Sequence, residues 1–136
     1  MSMTRDEFTA NIAALICEMR IDGDCPVGDR WMCSSQEQNR LFKIGRQLIN
    51  GIWQIIGDVV TFVDGVIKLS KHQYGTALDI YLKNKLTNEI VYDVLKPGNE
   101  HFKERMLYWH SIWDKQYGGK PMIDKPNFRD FPHFEG

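Results

Sequence analysis

Two segments of this chain carry side chains that could do chemistry together. The first is Ser70-Lys71-His72-Gln73-Tyr74-Gly75-Thr76-Ala77-Leu78-Asp79. The second, close to the end of the sequence, is Asp130-Phe131-Pro132-His133-Phe134-Glu135. Together they offer two imidazoles and a carboxylate as metal ligands, and a second carboxylate placed to accept a proton. Three protein ligands, an open position for water and a base form the minimum set for a hydrolytic zinc site.

The spacing supports that chemistry. His72 falls in a polar loop after a β-prone stretch, and Asp79 lies seven residues later in the next expected strand. Gly75 and Ala77 are small, which lets a loop entering a strand fold closely around an ion. Neutral imidazole and carboxylate suit Zn2+ at ~2.0–2.2 Å. For the third ligand, His133 is the best remaining candidate. His101 and His110 lie nine residues apart on an expected helix and share no face, so they read as solvent or core-edge histidines. Asp130 precedes His133 by three residues. In a tight turn it can approach a water on a metal there, take its proton and deliver it to a leaving amine. Glu135 is the rival base, because in a strand it points to the same side as His133.

Several elements must position these groups. Thr4-x-x-Glu7 is a capping box opening a helix from Thr4 to about Arg20, whose apolar face is Phe8, Ile12, Leu15, Ile16 and Met19. Residues Ile21 to Asp29, with two glycines, a proline and three aspartates, read as a loop. A second helix is expected from near Ser35, with Leu41, Phe42, Ile44, Leu48, Ile49 and Ile52 as its apolar positions, its end blurred by Gly51 and Gly57. Val59 to Leu69 reads as a hairpin about Asp64-Gly65. Strands are expected at 76–82 and 89–95, then a helix from Glu100 to about Tyr117 that Gly118-Gly119-Lys120-Pro121 ends. The tail is loop followed by a short extended piece. An interaction surface lined by Trp31, Trp53, Trp109 and Trp113 is an alternative role for the aromatics, but Trp109 and Trp113 are spaced i, i+4 on the last helix and read as core packing. The expected fold is α+β, a small, mainly antiparallel sheet with helices packed on one side and zinc at the sheet edge. The hairpin at Asp64-Gly65 and the strand at 76–82 should form its centre.

Bulk properties bound the alternatives. A chain of 136 residues fits one domain, 1–136, and 43% hydrophobic and 12% aromatic content is globular. Seventeen basic against 18 acidic side chains give a net charge of −1, without the basic excess of nucleic-acid or membrane-surface binders. No apolar run approaches the ~20 residues of a transmembrane helix. The polar start, Met1-Ser2-Met3-Thr4-Arg5-Asp6-Glu7, does not read as a signal peptide, so synthesis in the cytoplasm is expected. Cys17, Cys25 and Cys33 are odd in number and match no standard zinc spacing, so they read as free thiols, with Cys17 on a helix core face.

The pattern Ser70-x-His72-x-x-Gly75-x-Ala77-x-Asp79 resembles the signature of the zinc D-Ala-D-Ala peptidases, which include bacterial carboxypeptidases and dipeptidases and phage L-alanyl-D-glutamate endolysins. Asp130-x-x-His133 resembles their second signature, and Gly118-Gly119 followed by Phe128-Arg129-Asp130-Phe131-Pro132-His133-Phe134-Glu135 is similar to the phage branch. Gln38-x-x-Leu41-Phe42-x-x-Gly45-Arg46 is a weaker likeness upstream. The resemblance implies zinc on His72, Asp79 and His133, Asp130 as base, and Ser70 and Gln38 as substrate contacts. It also implies a carbonyl-polarising arginine about five residues before Gln38; Cys33 stands there, and Arg30, eight residues before Gln38, is the substitute. The segment Gln47 to Leu69 departs from the Gly- and Thr-rich loop of the family. The implied activity is hydrolysis of peptidoglycan stem peptides, with an L-Ala–D-Glu cut favoured by the phage-like ending. A D-Ala-D-Ala carboxypeptidase and a non-catalytic zinc-containing binding module are the alternatives. A single catalytic domain without a wall-binding module, released to the cell wall through a holin, completes the expectation.

Overall fold

The computed structural model describes residues 2–29, 39–40, 42–59, 74–126 and 128–136. Arg30, Trp31, Cys33, the start of the second helix through Gln38, Leu41, the Asp64-Gly65 hairpin, Ser70 and His72 lie outside them.

The first helix, α1, spans Arg5–Ile21. Its capping box closes as the sequence reads, with Glu7 N–H donating to the Thr4 hydroxyl at 3.3 Å and Thr4 N–H to the Glu7 carboxylate at 2.9 Å. Phe8, Ile12, Leu15 and Met19 are fully buried. Cys17 is exposed, contrary to the core face expected for it, because it lies outside that i, i+4, i+7 stripe. The second long helix, α2, spans Glu100–Tyr117 and stops at Gly118, whose φ of 73° is left-handed.

The strand at the centre, β4 (Ala77–Asn84), has three antiparallel neighbours. These are β1 (Pro26–Gly28), β5 (Glu89–Val91) and β8 (His133–Glu135), while the short β6 (Asp124–Lys125) and β7 (Phe128–Arg129) pair with each other. Leu78, Ile80 and Leu82 alternate along one face of β4 and join the apolar faces of α1 and α2 in a single core. Trp109 and Trp113 belong to that core, as their helical spacing implies. Ala77 and Asp79 fall on the opposite face of β4. The molecule is thus α+β, with two helices and small antiparallel sheets among the described residues.

Three further expectations need correction. The loop read at Ile21 to Asp29 contains β1, held because Lys83 N–H reaches the Cys25 carbonyl at 2.9 Å and Asp29 N–H the Asp79 carbonyl at 2.8 Å. The strand expected at 89–95 ends at Val91, four residues before its reading did. Beyond it, the Asp93 carboxylate accepts from Leu95 N–H at 3.0 Å, and its carbonyl accepts from the Asn99 side chain at 2.8 Å, which fold the chain into turns.

The largest correction concerns the second helix. Asn39, Arg40, Phe42 and Lys43 are helical, but the chain then forms a hairpin of β2 (Arg46–Ile49) and β3 (Ile52–Ile55). Asn50 and Gly51 both have positive φ, 51° and 76°, as a two-residue type I′ turn requires. An Asn-Gly pair that favours this geometry overrides a helical apolar period. That period presumes one buried face, whereas Leu48, Ile49, Ile52, Trp53 and Ile55 are all exposed.

A candidate metal centre

The site is built on β4 and β8. Their register sets Asp79 directly opposite His133, with Leu78 opposite Phe134 and Ala77 opposite Glu135. Alternation then divides β8 between two environments. Phe134 is fully buried in the core, while His133 and Glu135 face the other way, toward Asp79.

A turn delivers His133 to that register. Its backbone N–H reaches the Asp130 carbonyl at 3.3 Å, and Asp130 N–H reaches Ile123 at 3.0 Å. Ile80 N–H donates to the Pro132 carbonyl at 2.8 Å, which ties the turn to β4. Phe131, 5% exposed, anchors it from below. The carbonyl of Phe131 accepts from His110 Nε2 on α2 at 2.6 Å, and the His110 ring stacks on Phe134 with centroids 4.1 Å apart.

His110 was expected at the solvent or core edge, and the structure corrects this, because only 5% of it is exposed. Its spacing held the signal: it lies four residues after Met106 and three before Trp113, both in the core. Burial pushes its pKa down to about 4, against the hydrogen bond it donates to the Phe131 carbonyl, with the charge of His133 lowering it further. It is therefore a neutral, structural imidazole that supports the turn. His101 is exposed, as expected.

Three carboxylates surround the His133 ring. Asp79 Oδ1 lies 3.4 Å from Nδ1, and Asp130 Oδ2 lies 4.0 Å from the same nitrogen. Glu135 Oε1 lies 3.0 Å from Nε2, on the far edge of the ring. Of the two candidate bases, Asp130 shares the Asp79 side of the imidazole and Glu135 does not. Burial disfavours the charged ring. The accepting carboxylates of Asp79 and Glu135 beside its ring nitrogens, with the charges of Asp130 and Asp79, outweigh that and raise the pKa of His133 to about 10.

The donor set is of the right kind for zinc. Two donors at ~2.0–2.1 Å from one tetrahedral zinc stand roughly 3.3 Å apart. The 3.4 Å between His133 Nδ1 and Asp79 Oδ1 matches that separation and is long for a hydrogen bond, for which ~2.7–3.2 Å is usual. Among the described residues, no group of three or more His, Cys, Asp or Glu side chains is arranged to hold a metal ion. Two of the three expected ligands are in the described part, and the third, His72, lies outside it, as do Ser70, Arg30 and Gln38.

Gly75, expected to let the chain close around an ion, has a φ of 73° and lies against the Arg5 side chain, where a Cβ would come within 2.9 Å of Nε. Its small size serves a contact with α1. No helix among the described residues is long and apolar enough to cross a membrane. No known family model matches the chain, and no curated protein matches it.

Proposed function

We propose that this chain is a zinc metallopeptidase acting on the peptide stems of peptidoglycan, with the bond between L-Ala and D-Glu as its target. The observation that carries the reading is the pairing of Asp79 with His133 across β4 and β8, with Asp130 beside the same ring nitrogen. Sequence likeness adds His72 as the third ligand and gives the substrate class.

In this reading Asp79 and His133 hold the ion with His72. Zinc, when bound, supplies Lewis acidity toward a peptide carbonyl and toward water. Asp130 Oδ2 receives the proton of the attacking water and returns it to the departing amine, a step worth about 10²–10⁴-fold in rate. Its carboxylate, partly exposed at 18%, is within reach of solvent and so of substrate. Arg30 supplies positive charge to the carbonyl oxygen, and Ser70 and Gln38 contact the substrate. The phage-type route, with cytoplasmic synthesis and holin-dependent release to the wall, belongs to the same proposal.

The test is digestion of purified peptidoglycan by the zinc-loaded protein, with mass spectrometry of the fragments. New L-Ala C-termini with free D-Glu amines are expected. Release of terminal D-Ala instead would make the chain a carboxypeptidase. No cleavage by protein carrying one zinc would leave a binding module. Asp130→Ala should lower hydrolysis by about 10²–10⁴-fold with zinc retained; loss of zinc in that variant would make Asp130 a ligand.

A further inference from the structure

Both nitrogens of the His133 ring face carboxylates, and the two sides differ in what they can do. On the Nδ1 side stand Asp79 and Asp130, at 3.4 and 4.0 Å. On the Nε2 side Glu135 is at 3.0 Å, inside hydrogen-bonding distance. We infer that Glu135 is a positioning residue, accepting the Nε2–H of His133 and so leaving the Nδ1 lone pair directed toward Asp79 for a metal ion. The inference rests on the zinc reading above and assigns Glu135 a role other than base.

A neutral imidazole has one N–H and one lone pair, and the partner of one nitrogen decides which is which. A carboxylate only accepts, so Glu135 fixes the hydrogen on Nε2. A bare lone pair on Nδ1 would face two more carboxylates, a repulsive arrangement that a proton on Nδ1 relieves in the metal-free protein and a metal ion relieves by taking that proton's place. A metal ion at Nδ1 removes that conflict, and the outer carboxylate raises the basicity of the ligand.

Glu135 is also held rigidly enough for this. Its carbonyl accepts from the Trp113 indole at 2.8 Å and from Lys120 N–H at 2.8 Å. The next residue, Gly136, donates to the Thr76 carbonyl at 3.0 Å. Phe134 before it is fixed in the core. Alternation along β8 puts Glu135 on the His133 side, two residues on. With the backbone so fixed on both flanks, the contact of Oε1 with His133 Nε2 at 3.0 Å is what places the carboxylate.

The experiment is a zinc-affinity series by chelator competition on the whole chain, with thermal unfolding of each zinc-free protein as the control for folding. Glu135→Gln keeps an acceptor at Oε1 and should bind zinc within a few-fold of the wild type. Glu135→Met keeps the length and loses the acceptor, and should bind about 10–100-fold more weakly. Glu135→Ala should match Met, and decides the matter if the Met variant does not fold. Rescue by Gln alone separates positioning from general packing. Equal zinc affinity in all four proteins would overturn the inference alone. Unchanged affinity with hydrolysis lost in Met and Ala would also overturn it and make Glu135 the base. A wild type that binds no zinc would overturn the zinc reading and this inference together.

Discussion

The two sides of β8 hold two histidines with opposite properties, His110 buried and His133 partly exposed. His110, on the core side, stacks on Phe134, has one partner in the Phe131 carbonyl and a buried Nδ1 with none. His133, on the other side, is ringed by Asp79, Asp130 and Glu135. Desolvation acts on both and favours the neutral ring in each. In the core a single hydrogen bond to the Phe131 carbonyl opposes it only in part, and the pKa falls to about 4. Beside the carboxylates it is outweighed, and the pKa rises to about 10. Burial alone therefore does not tell a structural histidine from a candidate ligand. The charges around the ring do, and strand alternation allots them to one side of β8.

Replacing each histidine in turn should break the comparison most strongly. His133→Ala is expected to reduce zinc binding and hydrolysis to background in the protein that remains folded, with a lower thermal midpoint because Asp79, Asp130 and Glu135 lose the ring between them. In His110→Ala only the stability should fall. Emptying a stacked core position costs about 2–5 kcal/mol, and the folded fraction should keep its zinc affinity. Calorimetry and chelator competition on both variants read the two effects. If His110→Ala were to lose zinc at full folding, the division between the two sides would be wrong.

The response to pH sharpens the same contrast. The folded pKa of His110 lies below the ordinary 6.5, so between pH 6.5 and about 4 the unfolded chain binds more protons than the folded one. Its contribution is full above pH 6.5 and is lost as pH falls toward 4, by up to about 3 kcal/mol. His133 has a raised folded pKa, so its contribution is full below pH 6.5 and is lost as pH rises toward about 10 in the zinc-free protein. Denaturant titrations across this range should show the acid loss vanish in His110→Phe and the alkaline loss vanish in His133→Ala. A pH profile unchanged by either substitution would refute the assignment.

The smallest effect is expected at the joint between α2 and β8. A Cβ at Gly119 would collide with the indole nitrogen of Trp113, which donates to the Glu135 carbonyl. Gly119→Ala should cost about 1–3 kcal/mol, the usual range for overpacking, and weaken zinc binding only slightly. Urea denaturation gives the first quantity. A neutral result would mean that Trp113 moves aside without disturbing β8.

Much of the fold was legible where the determinants are local. The capping box at Thr4 and Glu7, the apolar stripe of α1, the span of α2 and its stop at Gly118 follow from a few neighbouring residues, and the structure has them. The β2–β3 hairpin was equally local, since Asn50-Gly51 marks it, yet an apolar period suited to a helix masked the signal. The exposure of that hairpin shows why the period misled: it registers apolar residues, and these are not buried.

The sequence by itself determined which chemistry is available, because residue types and short spacings fix the donors, and Asp130, His133 and Glu135 lie within six residues of one another. The tertiary structure alone decided how they are shared out. That Asp79 faces Nδ1 and Glu135 faces Nε2 depends on the pairing of β4 with β8, residues far apart in the chain. That His110 is a neutral support depends on α2 packing against Phe131 and Phe134. A histidine's charge and tautomer are set by what lies within a few ångströms of its ring, and for these two the decisive neighbours arrive only when distant segments pack together.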